Sequence, residues 1–371
     1  MILILNTDTT PESPSFANLA RHLDALPRIR WRVHQEKGAQ QLLTEIYLIG
    51  ETAALDTADM AALPGVDRVV RVSEPYRILG RHQDDHRPSE FVYNGVHFGQ
   101  DSLQVLAGLC AVDTPEHVEQ MMRALQENGQ VCTRMGAYKP RTSPYAFQGH
   151  GAACLPWVFE LAGKYGIRVI AMEITREAHI DEIQEALHRT GNPTGVMLQI
   201  GTRNTQNFEL LKAAGRQREM PVLLKRGFGI TLDESLNAAE YLASEGNRNV
   251  IFCLRGLKSH MGDPHRNLLD FGHVPVVRRL TRMPVGIDPS HSVGTRHKGP
   301  DQVLDIFHAT AQGIMAGANL VLIDFHPDPA NALVDGAQAL TLDELPIFLE
   351  DVRIARDAYL ERCTRLQRAV V

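Results

Sequence analysis

The sequence predicts an α/β protein, a (β/α)8 TIM barrel behind an N-terminal ferredoxin-like βαββαβ domain, on three observations. From residue 102 onward, eight apolar runs rich in β-forming residues alternate with helical segments, and eight such repeats in about 260 residues are the usual content of one parallel barrel. Residues 1–75 instead carry six short elements in the order βαββαβ, the split βαβ arrangement. No G-x-G-x-x-G opens the first crossover, which leaves the competing architecture, an open dinucleotide-binding sheet, without support.

The elements follow in order. Met1–Asn6, Arg28–His34, Thr44–Ile49 and Asp67–Val72 read as strands of the small domain, with Phe16–Leu26 and Thr57–Leu63 as its amphipathic helices. A polar link, Arg81–Pro88, precedes Glu90–Phe98, where β-forming residues flank Asn94-Gly95, the signal of a type I′ hairpin. Barrel strands are expected at Leu103–Val112, Gln130–Tyr138, Arg168–Ile174, Gly195–Ile200, Pro221–Arg226, Val250–Arg255, Pro284–Asp288 and Leu320–Phe325. Helical segments between them include His117–Gln126, Leu155–Tyr165, Ile180–His188, Leu232–Ser244 and Gln302–Met315, and Asp343–Leu360 follows the eighth strand. The expected domains are therefore residues 1–80 (ferredoxin-like, regulatory), 81–101 (linker and hairpin) and 102–371 (catalytic barrel).

The chain has 371 residues, with 38 Lys+Arg against 44 Asp+Glu and a formal net charge of −6. That balance argues against a nucleic-acid partner. No apolar run approaches the roughly 18 residues of a membrane span, and the Met1-Ile-Leu-Ile-Leu start lacks the basic flank of a signal peptide. A cytoplasmic protein without membrane partners is expected. Five scattered cysteines with no CxxC pair fit a reducing compartment and predict no disulfides. Only seven of the basic residues are lysines, so their positions are informative.

In a barrel, function sits at the C-terminal ends of the strands. Those ends supply Cys110 from strand 1, Arg134, Lys139, Arg141, Thr142 and Ser143 through and after strand 2, and Gln199 and Arg203 from strand 4. They continue with Lys225 and Arg226 from strand 5, Arg255 from strand 6, Asp288 and His291 from strand 7, and Asp324 and His326 from strand 8, with Asp335 beyond. A single Arg at a strand end is usually a solvated or ion-paired surface group; convergence from several strands shifts the reading. In a net acidic protein, such a basic focus predicts a small anionic substrate, because Arg forks and Lys point charges suit phosphate and carboxylate together. Two phosphate subsites are expected.

Barrel closure pairs strand 8 with strand 1, which makes Cys110, His291, Asp324 and Asp335 expected neighbours. Taken alone, Cys110 reads as a buried strand cysteine and His291 as a hydrogen-bonded loop histidine. Together, a thiolate, an imidazole and two carboxylates suit a first-row divalent ion, Mn, Fe, Co or Zn, better than oxygen-only Mg or Ca. Such an ion with open positions polarises a carbonyl as a Lewis acid.

The run Gly136-Ala-Tyr-Lys-Pro-Arg-Thr-Ser-Pro-Tyr-Ala-Phe-Gln-Gly149 resembles the signature of the 3-deoxy-D-arabino-heptulosonate 7-phosphate (DAHP) synthases, in the type I branch shared with the 3-deoxy-octulosonate 8-phosphate synthases. Further matches follow in order: Gln199-Ile-Gly-Thr-Arg-Asn204, Leu223-Leu-Lys-Arg-Gly227, Arg255-Gly256, Asp288-Pro-Ser-His-Ser292, His326-Pro-Asp-Pro329 and Ala332-Leu-Val-Asp-Gly336. The resemblance covers essentially the whole chain. It implies condensation of phosphoenolpyruvate with erythrose 4-phosphate and water, releasing phosphate, the first step of the shikimate pathway. By the family pattern Arg134, Lys139, Arg203, Lys225 and Arg255 hold phosphoenolpyruvate, Arg141, Thr142 and Asp288 hold the sugar phosphate, and Cys110, His291, Asp324 and Asp335 hold the metal. Lys139, Asp288 and His291 are the catalytic candidates. The resemblance also implies an aromatic amino acid as effector of the small domain and a homo-oligomer, dimer or tetramer.

Three departures fall near the metal. The usual Gly-Pro-Cys-Ser is Gly108-Leu-Cys-Ala111, the usual Thr-Glu of strand 3 is Met172-Glu173, and the usual glutamate ligand of strand 8 is Asp324. They keep open a specialised paralogue that uses another aldose phosphate in a secondary pathway. A non-catalytic, sugar-phosphate-binding regulatory homologue is the further alternative.

Overall fold

The N-terminal β-forming runs build an antiparallel sheet in the computed structural model, which describes residues 1–37, 42–70, 76–82 and 87–369. Its strands are β1 (Ile2–Leu5), β2 (Ile29–Lys37), β3 (Leu42–Gly50) and β4 (Val66–Val70), in the spatial order β2-β3-β1-β4. Helices α1 (Pro14–Asp24) and α2 (Thr57–Ala61) complete the βαββαβ order. Alternate residues of the strands face these helices. Leu3, Leu5, Ile46 and Leu48 pack against Phe16, Leu19, Leu23 and Met60 to form the core of this unit. Each helix is started by a side-chain cap, Ser13 for α1 and Asp56 for α2, whose oxygen satisfies backbone N–H groups that the first turn leaves unpaired. The expected strand Asp67–Val72 is observed to Val70; its last two residues lie outside the described ones.

The chain divides into two compact units, Met1–Arg77 and Ile78–Val371. The larger begins with a hairpin, β5 (Phe91–Tyr93) and β6 (Val96–Phe98), whose turn residues Asn94 and Gly95 have φ of 46° and 75°. Two successive left-handed residues are what a type I′ turn requires. Part of the expected link, residues 83–86, lies outside the described residues. The hairpin is more than a connector: Val96 and Phe98 join the barrel's interior cluster. Tyr93 closes so tightly on Gly195 that a Cβ there would meet its ring at 2.7 Å, and its hydroxyl accepts the Val196 N–H at 3.0 Å.

Eight parallel strands close the barrel: β7 (Gln104–Leu109), β8 (Cys132–Met135), β9 (Val169–Ile174), β10 (Gly195–Ile200), β11 (Val222–Lys225), β12 (Val250–Leu254), β13 (Val285–Ile287) and β14 (Leu320–Asp324), with β14 pairing back onto β7. Around them lie α3 (Pro115–Glu127), α4 (Leu155–Lys164), α5 (Ala178–Arg189), α6 (Phe208–Arg216), α7 (Leu232–Ser244), α8 (Val274–Leu280), the short α9 (Pro289–Val293), α10 (Asp305–Met315) and α11 (Leu345–Ala369). Most strands are shorter than expected, and β8 and β13 stop early for local reasons. β8 stops at Met135 because the next residues leave the sheet into a loop that Lys139 N–H closes onto the Gln148 carbonyl at 2.8 Å. β13 stops at Ile287 because Asp288 caps α9, its carboxylate accepting the His291 N–H at 3.1 Å. No helix among the described residues is long and apolar enough to cross a membrane.

The two-residue period of the strands now locates the site. Leu106, Cys132, Val169, Ala171, Met197, Leu223, Ile251, Cys253, Leu320 and Leu322 fill the lower barrel interior. The next inward position on each strand is Gly108, Arg134, Glu173, Gln199, Lys225, Arg255, Asp288 and Asp324. An apolar plug is thus capped by a polar layer carrying three positive and three negative side chains.

Candidate active site

The polar layer is held by buried ion pairs. Lys225 Nζ donates to Asp288 Oδ2 at 2.6 Å, and Lys139 Nζ to Glu173 Oε2 at 3.1 Å. Gly201 permits the second pair, since a Cβ there would lie 1.9 Å from the Glu173 carboxylate. Arg134 Nη1 stands 2.5 Å from Asp324 Oδ1. Desolvating such pairs costs several kcal/mol per ion, and an apolar replacement is often as stable, so six buried charges mark this layer as functional.

The expected metal ligands come together above it. Cys110 Sγ lies 3.7 Å from His291 Nε2 and 3.1 Å from Asp335 Oδ2, and Asp335 Oδ2 lies 3.4 Å from His291 Nε2. Cys110, His291 and Asp324 each offer one ligand atom within 4.8 Å of the others. His291 Nδ1 stands 3.0 Å from Asp288, which turns Nε2 toward the cluster, the arrangement in which a carboxylate orients a metal-binding imidazole. Asp324 Oδ1 is buried without a hydrogen-bond partner, because its contact with Arg134 lacks hydrogen-bond geometry; its Oδ2 accepts from Gln338 Nε2 at 2.6 Å. An unsatisfied carboxylate oxygen beside a thiol and an imidazole fits a divalent cation. Burial opposes charge on His291, but Asp288 and Asp324 outweigh it and push the imidazole up to about 10. Burial likewise opposes the Asp335 carboxylate, and the hydrogen bond and charge of His291, with Arg266, hold it well below the usual carboxylate range.

Beside the cluster opens a cavity of about 290 Å³, lined by Lys139, Arg141, Thr142, Arg203, Lys225, Arg255 and Arg266, with His291 and Asp335 on its wall. Arg203 Nη2 donates to Thr142 Oγ1 at 3.4 Å. Arg255 is 5% exposed, and its buried Nε has no hydrogen-bond acceptor. Burial is the main influence on this guanidinium and lowers its pKa. An anion entering the cavity would satisfy it.

Three residues sit elsewhere than strand-end reading suggested. Arg134 lies beneath the cluster rather than on the cavity wall, facing Asp324 and Cys110. Arg226 alternates away from Lys225 and pairs outside with Asp270 at 3.0 Å, also donating to His273 Nδ1 at 2.8 Å. His326 turns to Asp113. Arg266 and Gln338 were not foreseen. Arg266 Nη1 donates to Asp335 Oδ1 at 3.1 Å and to Gln338 Oε1 at 3.0 Å, clamping a metal-ligand candidate. It comes from the irregular segment between β12 and α8, and its only sequence signal is a basic residue in a long loop at the C-terminal face.

Fold and site define the class: a (β/α)8 enzyme whose mouth joins an anion-binding cavity to a metal-capable cluster. Residues 80–358 match the model of the DAHP synthetase I family. The chain is 34% identical over 360 residues to the phospho-2-dehydro-3-deoxyheptonate aldolase of Thermotoga maritima, covering 96% of this chain and 98% of that one. It is 28% identical over 266 residues to a 2-dehydro-3-deoxyphosphooctonate aldolase of Bradyrhizobium sp., covering 67% of this chain and 87% of that one. The crystal structure of the Thermotoga maritima DAHP synthase superposes with a TM-score of 0.69 at 32% identity, over 96% of this chain and 97% of that one. A truncated form of the enzyme from the same organism gives 0.65 at 31%, over 76% and 97%. The chain belongs to the DAHP synthetase I family.

Proposed function

We propose that the protein condenses phosphoenolpyruvate with erythrose 4-phosphate and water to give DAHP and inorganic phosphate, the entry step of the shikimate route to aromatic amino acids. The observation that carries this reading is the buried Arg255, whose Nε lacks an acceptor, in a cavity shared with Lys139, Lys225 and Arg203, next to the Cys110–His291–Asp324 cluster. Lys225, Arg255 and Arg203 hold the phosphate and carboxylate of phosphoenolpyruvate, and Arg141 with Thr142, nearer the rim, holds the sugar phosphate. Arg134 acts from beneath, fixing Asp324. A first-row divalent ion, Mn, Fe, Co or Zn, held by Cys110, His291, Asp324 and Asp335, would polarise the aldose carbonyl. Held in line by the two anion subsites, the enol carbon reaches that carbonyl without a further entropic cost. Lys139, kept protonated by Cys110 and Glu173 against the opposing effect of burial, supplies a proton to the oxygen that becomes a hydroxyl. Asp288 holds Lys225 and His291 at once and so ties the anion subsite to the metal cluster. Water then adds at the former enol C2, and phosphate leaves with cleavage of its C–O bond.

The small domain is assigned to feedback by an aromatic amino acid, and the working form to a dimer or tetramer. A second reading, a paralogue with another aldose phosphate, is favoured by Asp324, a short carboxylate held by both Arg134 and Gln338. Loss of phosphoenolpyruvate absorbance in Mn-replete protein, across erythrose 4-phosphate and five-carbon aldose phosphates, tests both. Loss that depends on erythrose 4-phosphate supports the first reading, a preference for another aldose supports the second, and no loss with any aldose refutes both.

A further inference from the structure

Behind the cavity, Asp113, His117 and His326 each bring a ligand-capable atom within 4.8 Å of the others, and their hydrogen bonds decide what they do. Asp113 Oδ2 lies 2.7 Å from His326 Nε2 and 2.9 Å from His117 Nδ1. On the far edge of the His326 ring, Nδ1 accepts the Asp328 N–H at 3.0 Å. A neutral imidazole that accepts at Nδ1 carries its proton at Nε2, so His326 donates to Asp113. A proton occupies the position a cation would need, and the trio is a hydrogen-bonded hub.

Three site-bearing segments meet there. Asp113 stands three residues beyond Cys110, and its Oδ1 accepts the Thr114 N–H at 2.6 Å where α3 begins. Its carbonyl accepts from His150 Nε2 at 2.7 Å, and His150 ends the loop that carries Lys139, Arg141 and Thr142. His326 stands two residues beyond Asp324, and the Asp328 contact continues toward the turn that presents Asp335. Asp113 and His326 are both almost wholly buried, so these bonds are made away from competing water and hold their geometry. None of the hub's side chains lines the cavity.

We propose that Asp113 is a positioning residue: through His326 and His150 it fixes the spacing between Cys110 and Asp324, and so sets the metal affinity and turnover of a site it does not touch. The turnover part rests on the function proposed above; the affinity part does not. The test uses the full chain with Asp113→Asn, His326→Ala, His326→Gln and the double variant Asp113→Asn/His326→Ala, with Mn2+ titrated into each and kcat and KM measured. Support for oriented ligands of this kind is worth about 10–100-fold in metal affinity, so Asp113→Asn and His326→Ala should each raise the Mn2+ Kd about tenfold or more. kcat should fall while the KM for phosphoenolpyruvate moves less than about threefold, since the anion subsites stay intact. His326→Gln keeps a donor near Nε2 and should recover much of the affinity. The double variant should be no worse than the more severe single, because both remove one link. A wild-type Mn2+ Kd in Asp113→Asn, additive losses in the double variant, or His326→Gln no better than His326→Ala overturns the proposal. Should Asp113→Asn fail to fold, the two His326 variants make the same comparison. If the wild type binds Mn2+ but turns over no phosphoenolpyruvate, the functional reading fails and the affinity comparison still decides this one.

Discussion

Asp288→Asn perturbs the point where the anion subsite and the metal cluster are joined. Asp288 is 0% exposed and takes Lys225 Nζ at 2.6 Å, His291 Nδ1 at 3.0 Å and the His291 N–H at 3.1 Å. Asparagine keeps the shape and the helix cap. It removes the charge, and its amide donor must face either the Lys225 ammonium or the imidazole N–H. Breaking a buried charge pair by removing one partner costs about 3–5 kcal/mol, and one retained neutral hydrogen bond returns about 1 kcal/mol. Barrel stability should therefore fall by about 2–4 kcal/mol, and the loosened imidazole should weaken Mn2+ binding about 10–100-fold. Of the two tryptophans, Trp31 lies in the small unit and Trp157 on α4. Urea unfolding followed at Trp157 in a Trp31→Phe background isolates the barrel transition, and a midpoint shift at unchanged slope converts to stability. A loss under about 1 kcal/mol together with unchanged Mn2+ affinity would refute the reasoning.

Three further outcomes are expected. Burial beneath Tyr138, whose ring stacks on His179 at 3.6 Å, holds that imidazole down to about 4 from an ordinary 6.5. The unfolded chain therefore takes up this proton first as pH falls, so its contribution to stability is complete above pH 6.5 and is lost progressively toward pH 4; in His179→Gln the drop in Tm between pH 7 and pH 5 should shrink. Gly201→Ala drives a methyl into the Glu173 carboxylate and displaces Lys139's partner, and a displacement of about 1 Å can cost about 100-fold, read as kcat/KM with Tm as the folding control. Phe98→Ala empties the base of the barrel interior and should cost about 3–5 kcal/mol, seen in the Trp157 transition with the substrate KM unchanged in the protein that remains folded.

The barrel was legible because its period is strong: strands such as Val169–Ile174, buried at every position, cannot be half-exposed antiparallel strands. The metal candidates were legible through closure alone, since the β14–β7 pairing sets Asp324 beside Gly108, two residues before Cys110. Reading only the strand ends did not show that Arg134 turns to Asp324 and Cys110. Its alternation with Cys132, which lies in the apolar plug, already put it inside the barrel. Arg226 fails the same test against Lys225 and belongs outside. Arg266 and the Asp113–His326 link were not legible in this way, because both arise where irregular loops meet across the mouth. There, hydrogen bonds rather than a repeat fix the partner, and no spacing in the sequence announces it.

The buried charges also bear on why the mouth works in a net acidic chain. The layer facing the plug is balanced, and the excess of positive charge comes from residues added at the cavity, where Lys139, Arg141, Arg203 and Arg266 join Lys225 and Arg255 of the layer. A small doubly charged anion finds a focused field there, while the acidic remainder of the surface repels long polyanions.

The central claim is tested most directly by identifying what Mn-replete protein makes from phosphoenolpyruvate and erythrose 4-phosphate, using 31P NMR and mass spectrometry with Cys110→Ala as control. One inorganic phosphate per phosphoenolpyruvate consumed, one new seven-carbon monophosphate, and neither in Cys110→Ala is the predicted result. Unconsumed phosphoenolpyruvate in folded, metal-replete protein, or the same product from metal-free Cys110→Ala, would contradict it.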